Sequence, residues 1–424
     1  QMSNCFQMLD AGIPVLNISV ANIKDEVISK TKIADGNERV FFAGNTHFLT
    51  LCRMYLAPYM DLFTSLRGIL FGQIGMNACG KELHERLMEM YTNLHGHFNM
   101  EDFLSQVGWI DTDFEKYDKR LIVLMFGVYV LWRLVQVTPY YMRPENKVEL
   151  NRIKMILHSL QQFVVVIGND VFLMSERLPS GVFGTAWINC ICECILEVLQ
   201  FYYCLFYYQN KAKPKGDFVL SLRRRNPFFK IVSLINYGDD NLKYIAALYR
   251  AIYNHLAIMM FSDWICMGIT PGSKSESIIR LKTVQEVTFL KRTPCLDFIT
   301  HVLMGRLDFN SIGKMLAYTD SKDIRWKQMV LAQALRELSF YDDDSYERFC
   351  AIFGVKPDVD KMELRWSILD QLEYEPKLPV PMLDLEQEYE APSTVFTDTP
   401  VPGVTNLEVF DEEFDSLVLA SLLE

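Results

Sequence analysis

The run SLINYGDDNLKY, Ser233 to Tyr244, sets two adjacent carboxylates, Asp239 and Asp240, between apolar and aromatic segments that read as strands. Gly and Asp are ordinary turn residues, so a polar hairpin loop accounts for the pair by itself. The alternative is that something doubly positive sits there. Upstream, DTDFEKYD offers Asp113 and Asp118 at the end of another strand. Mg2+ favours hard oxygen ligands and takes only one or two protein carboxylates, leaving positions for phosphates and water. Asp113 on one strand and Asp239 on a neighbouring hairpin could share two such ions. Two metals about 3.5–4 Å apart stabilise both the attacking and the leaving oxygen of a phosphoryl displacement. A structural salt-bridge network is the competing account of Asp113.

Other segments keep these carboxylates company. In SGVFGTAWIN, Ser180 and Gly181 make a hydroxyl-bearing loop, and Thr185 and Asn189, four apart, share one helical face. An ordinary helix start with Thr185 near the cap fits equally well. KDEVISKTKIADGNER strings Lys24, Lys30, Lys32 and Arg39 along a finger-like segment, or along a solvated loop. TFLKRT places Lys291 and Arg292 after two apolar residues, which a strand end also explains.

The elements that must position these groups are legible from periodicity. The chain is polar and basic to about Ala43, then apolar at helical spacing from Phe48 to about Asn93. VGWIDTDF reads as a short strand, followed by an apolar helix beginning near Lys119. FVVVIGNDV follows a polar stretch, and ERLPSGVFGTAWINC passes from a Pro/Gly loop into a helix. FFKIVSLINYGDDNLKYI is a hairpin with the carboxylates at its tip. YIAALYRAIYNHLAIMMF reads as an amphipathic helix, VQEVTFLKRT as a strand pair, and Pro294 onward as helical to about Tyr374.

Of 424 residues, 50% are hydrophobic, enough for one large core or two to three subdomains. The net charge of −11 is concentrated beyond Glu375, where eleven acids meet one base, Lys377. The remainder is nearly neutral, so average charge does not argue against a nucleic-acid partner. That acidic, Pro-rich tail has little periodicity and is expected to be disordered. The ten cysteines lack zinc-site spacing, and Cys190, Cys192 and Cys194 alternate along an apolar helix without converging. LIVLMFGVYVLWRLV is too short to span a membrane, and AWINCICECILEVLQFYYCLFYY carries Glu193 and Glu197, so both read as buried helices rather than spans. The chain begins at Gln1, which reads as a piece of something longer.

The order of the segments resembles that of RNA-dependent RNA polymerases of positive-strand RNA viruses in the picornavirus-like order. KDEVISKTKIADGNER is similar to their cationic motif F, DTDFEKYD to motif A, SGVFGTAWIN to motif B and YGDD to motif C. GITPGSKS resembles motif D, FLKR resembles motif E, and IGMN in QIGMNACG matches a segment common ahead of motif A. The resemblance runs from about Lys24 to Pro294, and six motifs in register make coincidence a poor explanation.

It implies an α+β right hand whose antiparallel-sheet palm is backed by helices. Residues 1–55 would be partial fingers and 56–293 the palm, with a finger insertion near 144–178. Residues 294–375 would be a helical thumb and 376–424 the acidic tail. The family's upstream fingers are largely absent, so the chain reads as an N-terminally incomplete part of a polyprotein. The implied reaction is template-directed addition of ribonucleoside triphosphates to an RNA 3′ end. Asp113 and Asp239, assisted by Asp240, would hold two Mg2+ ions, with Mn2+ as a possible substitute. Asp118 and Asn189, with Ser180, Gly181 and Thr185 nearby, would read the ribose 2′-hydroxyl. Arg39, with Lys24, Lys30 and Lys32, would hold the triphosphate, and Lys274 would protonate the departing pyrophosphate. Lys291 and Arg292 would support the primer. Cys190 departs from the family pattern, where serine is frequent.

Template and primer RNA, ribonucleoside triphosphates, a small protein primer and other viral replication proteins are the implied partners. The implied location is the host cytoplasm, in membrane-associated replication complexes. A reverse transcriptase shares the Tyr-x-Asp-Asp turn, but Asp118 with Asn189 points to ribonucleotides. A non-catalytic RNA-binding or scaffold protein of the same fold would be marked by loss of a metal carboxylate, and all three are present.

Overall fold

The computed structural model describes residues 2–24, 33–34, 36, 39–115, 117, 123–175, 177–178, 181–211, 227–272, 280–297, 301–317, 324–353, 361 and 364–365. From the N-terminus come α1 (Met2–Asp10), β1 (Ile18–Ile23), β2 (Val40–Gly44), α2 (Thr46–Ser65), α3 (Lys81–His95) and α4 (Met100–Ser105). Next are β3 (Trp109–Phe114), α5 (Leu124–Gln136), α6 (Lys147–Gln161), β4 (Gln162–Ile167), β5 (Asp170–Ser175) and α7 (Thr185–Asn210). Then follow α8 (Phe228–Ile231), β6 (Val232–Tyr237), β7 (Asp240–Ile245), α9 (His255–Trp264) and β8 (Ile269–Pro271). The last are β9 (Arg292–Asp297), β10 (Val302–Leu307), α10 (Phe309–Ala317), α11 (Ile324–Leu338) and α12 (Asp343–Phe353).

The central sheet runs β6-β7-β3-β8 with every pairing antiparallel. Strand alternation gives it two different faces. Ile110 and Phe114 enter one hydrophobic cluster together with Ile188, Cys192 and Leu196 of α7. Trp109, Leu242 and Tyr244 enter another, with Phe103, Val284 and Phe289. Trp109 and Tyr244 are fully buried, with ring centroids 4.6 Å apart.

Helix α7 spans 26 residues with neither Gly nor Pro inside it. It starts beside Gly184, at φ 81°, and stops at Lys211, whose left-handed backbone (φ 52°) lets its N–H donate to the Tyr207 carbonyl. A helix apolar on all sides belongs in an interior. By length and composition this one could cross a membrane, but 67% of its most apolar window is buried inside the protein. Its neighbours are α5, α9 and β6.

A second four-stranded sheet, β2-β1-β4-β5, is mixed, because β1 pairs parallel with β4. It joins the polar N-terminal segment to the insertion after α6. Leu9, Val15 and Phe48 share one cluster with Ile188 and Ile269, so the N-terminal segment is packed into the core that backs the central sheet.

Three local expectations are corrected. No strand pair forms over 284–293; the segment is mostly turns, and the strands are β9 and β10 instead. Pro294 therefore lies in a hairpin, opposite Gly305, rather than opening a helix. A two-stranded hairpin is all edge, where the missing N–H of proline is tolerated. Gly305 also explains the docking: a Cβ there would lie 1.9 Å from the Ala78 carbonyl, a contact that no local pattern reveals. Third, the helix expected from Tyr244 is interrupted. The strand continues to Ile245, a 3-10 turn covers Ala247–Tyr249, and α9 starts where the Asn254 side chain caps the Ala257 N–H. The apolar helix expected near Lys119 begins at Leu124, and 118–122 lie outside the described residues, as does the tail beyond Glu375.

Candidate active site

The hairpin between β6 and β7 closes with Tyr237 opposite Asp240, leaving a two-residue turn of Gly238 and Asp239. Such turns require positive φ at their first central residue, and Gly238 supplies it at 69°. On the neighbouring strand, Thr112 pairs with Asn241 as the last rung of the β3–β7 ladder. Asp113 and Asp240 are the next residue on each strand. By the strand period, Asp113 lies on the face of Asp111, and Asp240 on the face of Leu242, which is paired with Asp111. The ladder thus delivers two carboxylates side by side, with Asp239 at the adjoining tip. All three are half-buried. Asp111, by contrast, is buried and satisfied: it accepts from Lys282 Nζ at 2.6 Å and from the Thr288 N–H at 2.8 Å.

The donor set fits a divalent cation. Among the described residues no three His, Cys, Asp or Glu side chains converge to enclose an ion. Mg2+ needs no such cage, since phosphate and water oxygens complete its shell. Burial above all, then the Glu193 carboxyl at Tyr117 and the Glu197 carboxyl at Glu193, pushes the Tyr117 hydroxyl and the Glu193 carboxyl well above their ordinary ranges, with a smaller push from Asp239.

Helix α7 holds the turn from below. The Cys190 carbonyl accepts from Asn236 Nδ2 at 2.9 Å, and its sulfur accepts from the Gly238 N–H at 3.2 Å. Burial pushes the Cys190 thiol up to about 12, so it stays neutral. Where the family often has serine, this thiol still supports the turn. One residue earlier, the Asn189 carbonyl accepts from the Tyr117 hydroxyl at 3.0 Å. Asn189 Oδ1 is buried with no donor among the described residues. Thr185 is not a cap; its hydroxyl donates to the Val182 carbonyl at 2.7 Å. Gly181 is fixed by close approach, because a Cβ there would lie 2.0 Å from the Phe42 carbonyl of β2.

Beneath the carboxylates runs a polar ladder that the motifs do not include. Thr112 Oγ1 donates to Asn241 Oδ1 at 2.7 Å, and Asn241 Nδ2 donates to Glu193 Oε1 at 2.6 Å. One turn along, Lys243 Nζ meets Glu197 and, at 3.2 Å, Gln200 Oε1, while the Tyr253 hydroxyl donates to Glu197 Oε2 at 2.7 Å. Thr112, Asn241, Lys243, Glu193, Glu197 and Gln200 are all buried. Their signal in the sequence is the spacing of Glu193, Glu197 and Gln200, four and then three apart, on an otherwise apolar helix.

Lys24 and Arg39 are brought together at the loop end of the β1–β2 hairpin, where the Lys24 N–H donates to the Arg39 carbonyl at 2.7 Å. Both side chains are exposed. Lys30, Lys32, Asp118, Ser180 and Lys274 lie outside the described residues. Lys291 is exposed in a left-handed conformation, φ 60°. Arg292 is engaged within the protein. Its guanidinium is bidentate to Glu337 of α11 at 2.7 and 2.8 Å and donates to the Gly305 carbonyl at 2.8 Å. With a side chain 13% exposed, Arg292 anchors the C-terminal helices through that pair.

The family described as "Viral RNA-dependent RNA polymerase" has a model that matches residues 1–353. Over 352 residues the chain is 25% identical to the replicase polyprotein of Drosophila C virus, covering 80% of this chain and 18% of that polyprotein. It is 25% identical over 366 residues to the genome polyprotein of Human parechovirus 5, covering 86% of this chain and 14% of that one. The chain thus spans less than a fifth of these curated relatives. Among solved structures, the Sicinivirus 3Dpol RNA dependent RNA polymerase superposes with a TM-score of 0.62 at 16% identity. That match covers 87% of this chain and 70% of the other, and it identifies the fold as the right hand of a polymerase.

Proposed function

Because the chain belongs to the viral RNA-dependent RNA polymerase family, we propose that it adds ribonucleoside triphosphates to an RNA 3′ end on an RNA template, replicating a viral genome. The observation that carries the reading is the register that sets Asp113 and Asp240 side by side at the ends of β3 and β7, with Asp239 in the adjoining turn. Two divalent cations, Mg2+ or Mn2+, would be held by Asp113 and Asp239 with Asp240 assisting. When bound, they supply the charge that stabilises the attacking and leaving oxygens.

The chain's own groups do the rest. Arg39 and Lys24, with Lys30 and Lys32, hold the triphosphate. Asn189, with Asp118 and the Ser180–Gly181 loop beside Thr185, positions the ribose through its 2′-hydroxyl. Lys274 gives its proton to the departing pyrophosphate oxygen. Lys291 meets the primer strand, while Arg292 ties the β9–β10 hairpin to α11. A small protein primer and other viral replication proteins are partners, in membrane-associated complexes of the host cytoplasm.

The test is primer extension by the 424-residue chain with Mg2+ and an RNA template, beside Asp239→Asn. A cation site worth several kcal/mol of transition-state stabilisation predicts loss of several orders of magnitude in rate. Near-normal extension by a well-folded Asp239→Asn variant overturns the reading.

A further inference from the structure

We propose that Glu193 is a positioning residue for the metal-binding carboxylates, acting through Asn241 and Thr112. The inference rests on the polymerase reading above. The strands that carry Asp113 and Asp240 end their pairing at the rung Thr112–Asn241. The side chains of that rung bond to each other at 2.7 Å on the face opposite the carboxylates. Asn241 then donates at 2.6 Å to Glu193, fixed on α7 one helical turn after Asn189. One carboxyl group therefore pins the ends of both catalytic strands to one rigid element.

The chemistry of the amide makes the tie directional. Asn241 Oδ1 is committed to the Thr112 hydroxyl, so its Nδ2 must point at an acceptor, and Glu193 Oε1 is that acceptor. Remove it and a buried amide loses the acceptor that it has among the described residues. Its rotation would take the Thr112 acceptor with it, and the two strand ends would be free to shift separately. Catalytic geometry is sensitive to such shifts, a 1 Å misplacement costing on the order of a hundredfold. Helix α7 already grips the other side of the turn through Cys190. Glu193 completes a two-point clamp, one point on β6 and the turn, the other on β7 and β3. A glutamine carbonyl offers Asn241 Nδ2 an acceptor in the place of Glu193 Oε1.

The test uses the full chain and four proteins: the parent, Glu193→Gln, Glu193→Leu and Thr112→Val. Mn2+ binding to each protein without nucleotide is read by electron paramagnetic resonance. Primer extension then gives kcat, nucleotide KM and the Mg2+ concentration for half-maximal rate. Glu193→Leu is expected to weaken Mn2+ binding and lower kcat, each by tenfold or more, with nucleotide KM within about threefold of the parent. Glu193→Gln should restore both to within about threefold. Thr112→Val, nearly isosteric and expected to fold even if Glu193→Leu does not, should weaken Mn2+ binding several-fold. Parental Mn2+ affinity in Thr112→Val overturns the proposal, as does a Gln variant as impaired as the Leu variant. A parent that binds Mn2+ but extends no primer would instead count against the polymerase reading, while the binding series would still decide the role of Glu193.

Discussion

The two faces of the central sheet set their carboxyl groups in different surroundings. On one face Asp113, Asp239 and Asp240 stand half-buried at the open end of β3 and β7, with no protein cage to enclose an ion among the described residues. On the other, Glu193 and Glu197 are fully buried, and protein groups meet them: Asn241 for the first, Lys243, Gln200 and Tyr253 for the second. The first face presents its carboxylates half-buried at the strand ends, the placement that the proposed phosphoryl transfer needs. The second ties its carboxyl groups to buried side chains of the sheet and of the segment after it, which is what a support needs. Substitutions on the two faces should therefore fail in different assays.

The largest effect is expected on the open face. Asp113→Asn should cost several orders of magnitude in primer extension, with the thermal midpoint unchanged or raised because a like charge is removed. A parallel loss of stability would show that Asp113 is a structural group and erase the contrast between the faces.

On the closed face the expectation is reversed. Lys243→Met strands the Glu197 carboxylate, and breaking a buried pair on one side typically costs about 3–5 kcal/mol. The unfolding midpoint in denaturant should fall accordingly. Pairing the change with Glu197→Gln should recover much of the loss, because replacing both members of a buried pair is often nearly neutral. If the double variant is as unstable as the single, Lys243 contributes through something other than that pair.

This division also sets what could be read from the sequence. The open face is legible because its residues form a compact string: a Gly that takes positive φ, then two carboxylates. Gly181 was legible as part of a loop, though not for the reason that governs it, its approach to the Phe42 carbonyl across the mixed sheet. The closed face was not read. Glu193 and Glu197 counted only against a membrane span, because their partners lie on β7 and a helix pattern cannot name a strand residue. Arg292 has a tie that its motif does not show. Its position after FLK is a motif feature, but Glu337, which takes its guanidinium, lies on a helix packed only in the tertiary fold. The β9–β10 hairpin was missed for the same reason, since Pro294 reads locally as a break.

A third effect tests how dry the closed face is. His255 is buried near Lys243 and Lys282, and neither ring nitrogen has a partner among the described residues. Burial first, then those two cations, push its pKa down to about 4 from an ordinary 6.5. The unfolded chain thus takes up a proton near pH 6.5 that the folded chain refuses until about pH 4. Stability from the neutral ring is complete above 6.5 and is lost as pH falls through that window. At about 1.4 kcal/mol per unit, the loss is on the order of 3 kcal/mol. His255→Leu should flatten that part of the stability profile relative to the parent. Equal acid sensitivity in both proteins would mean that water reaches the ring and the face is wetter than its packing implies.

The smallest effect is the most discriminating, because Asn189 lies on α7, the helix that supports the closed face, and is read here as facing the substrate of the open one. Its carbonyl is tied to Tyr117, which fixes the backbone, while its buried Oδ1 has no donor among the described residues. A ribose 2′-hydroxyl is a donor that would satisfy it, and a deoxyribose would leave it as it stands. An unsatisfied buried polar group costs about 1–3 kcal/mol, which is roughly tenfold to a hundredfold in sugar discrimination from this contact. Asn189→Ala should therefore narrow the ratio of kcat/KM for matched ribo- and deoxynucleotides while leaving Mg2+ dependence as in the parent. Adding Asp118→Ala should narrow it little further, since the two groups are read as one unit. If Asn189→Ala keeps the parent's ratio but loses stability, Asn189 belongs to the supporting face, and sugar choice must be made elsewhere in the site.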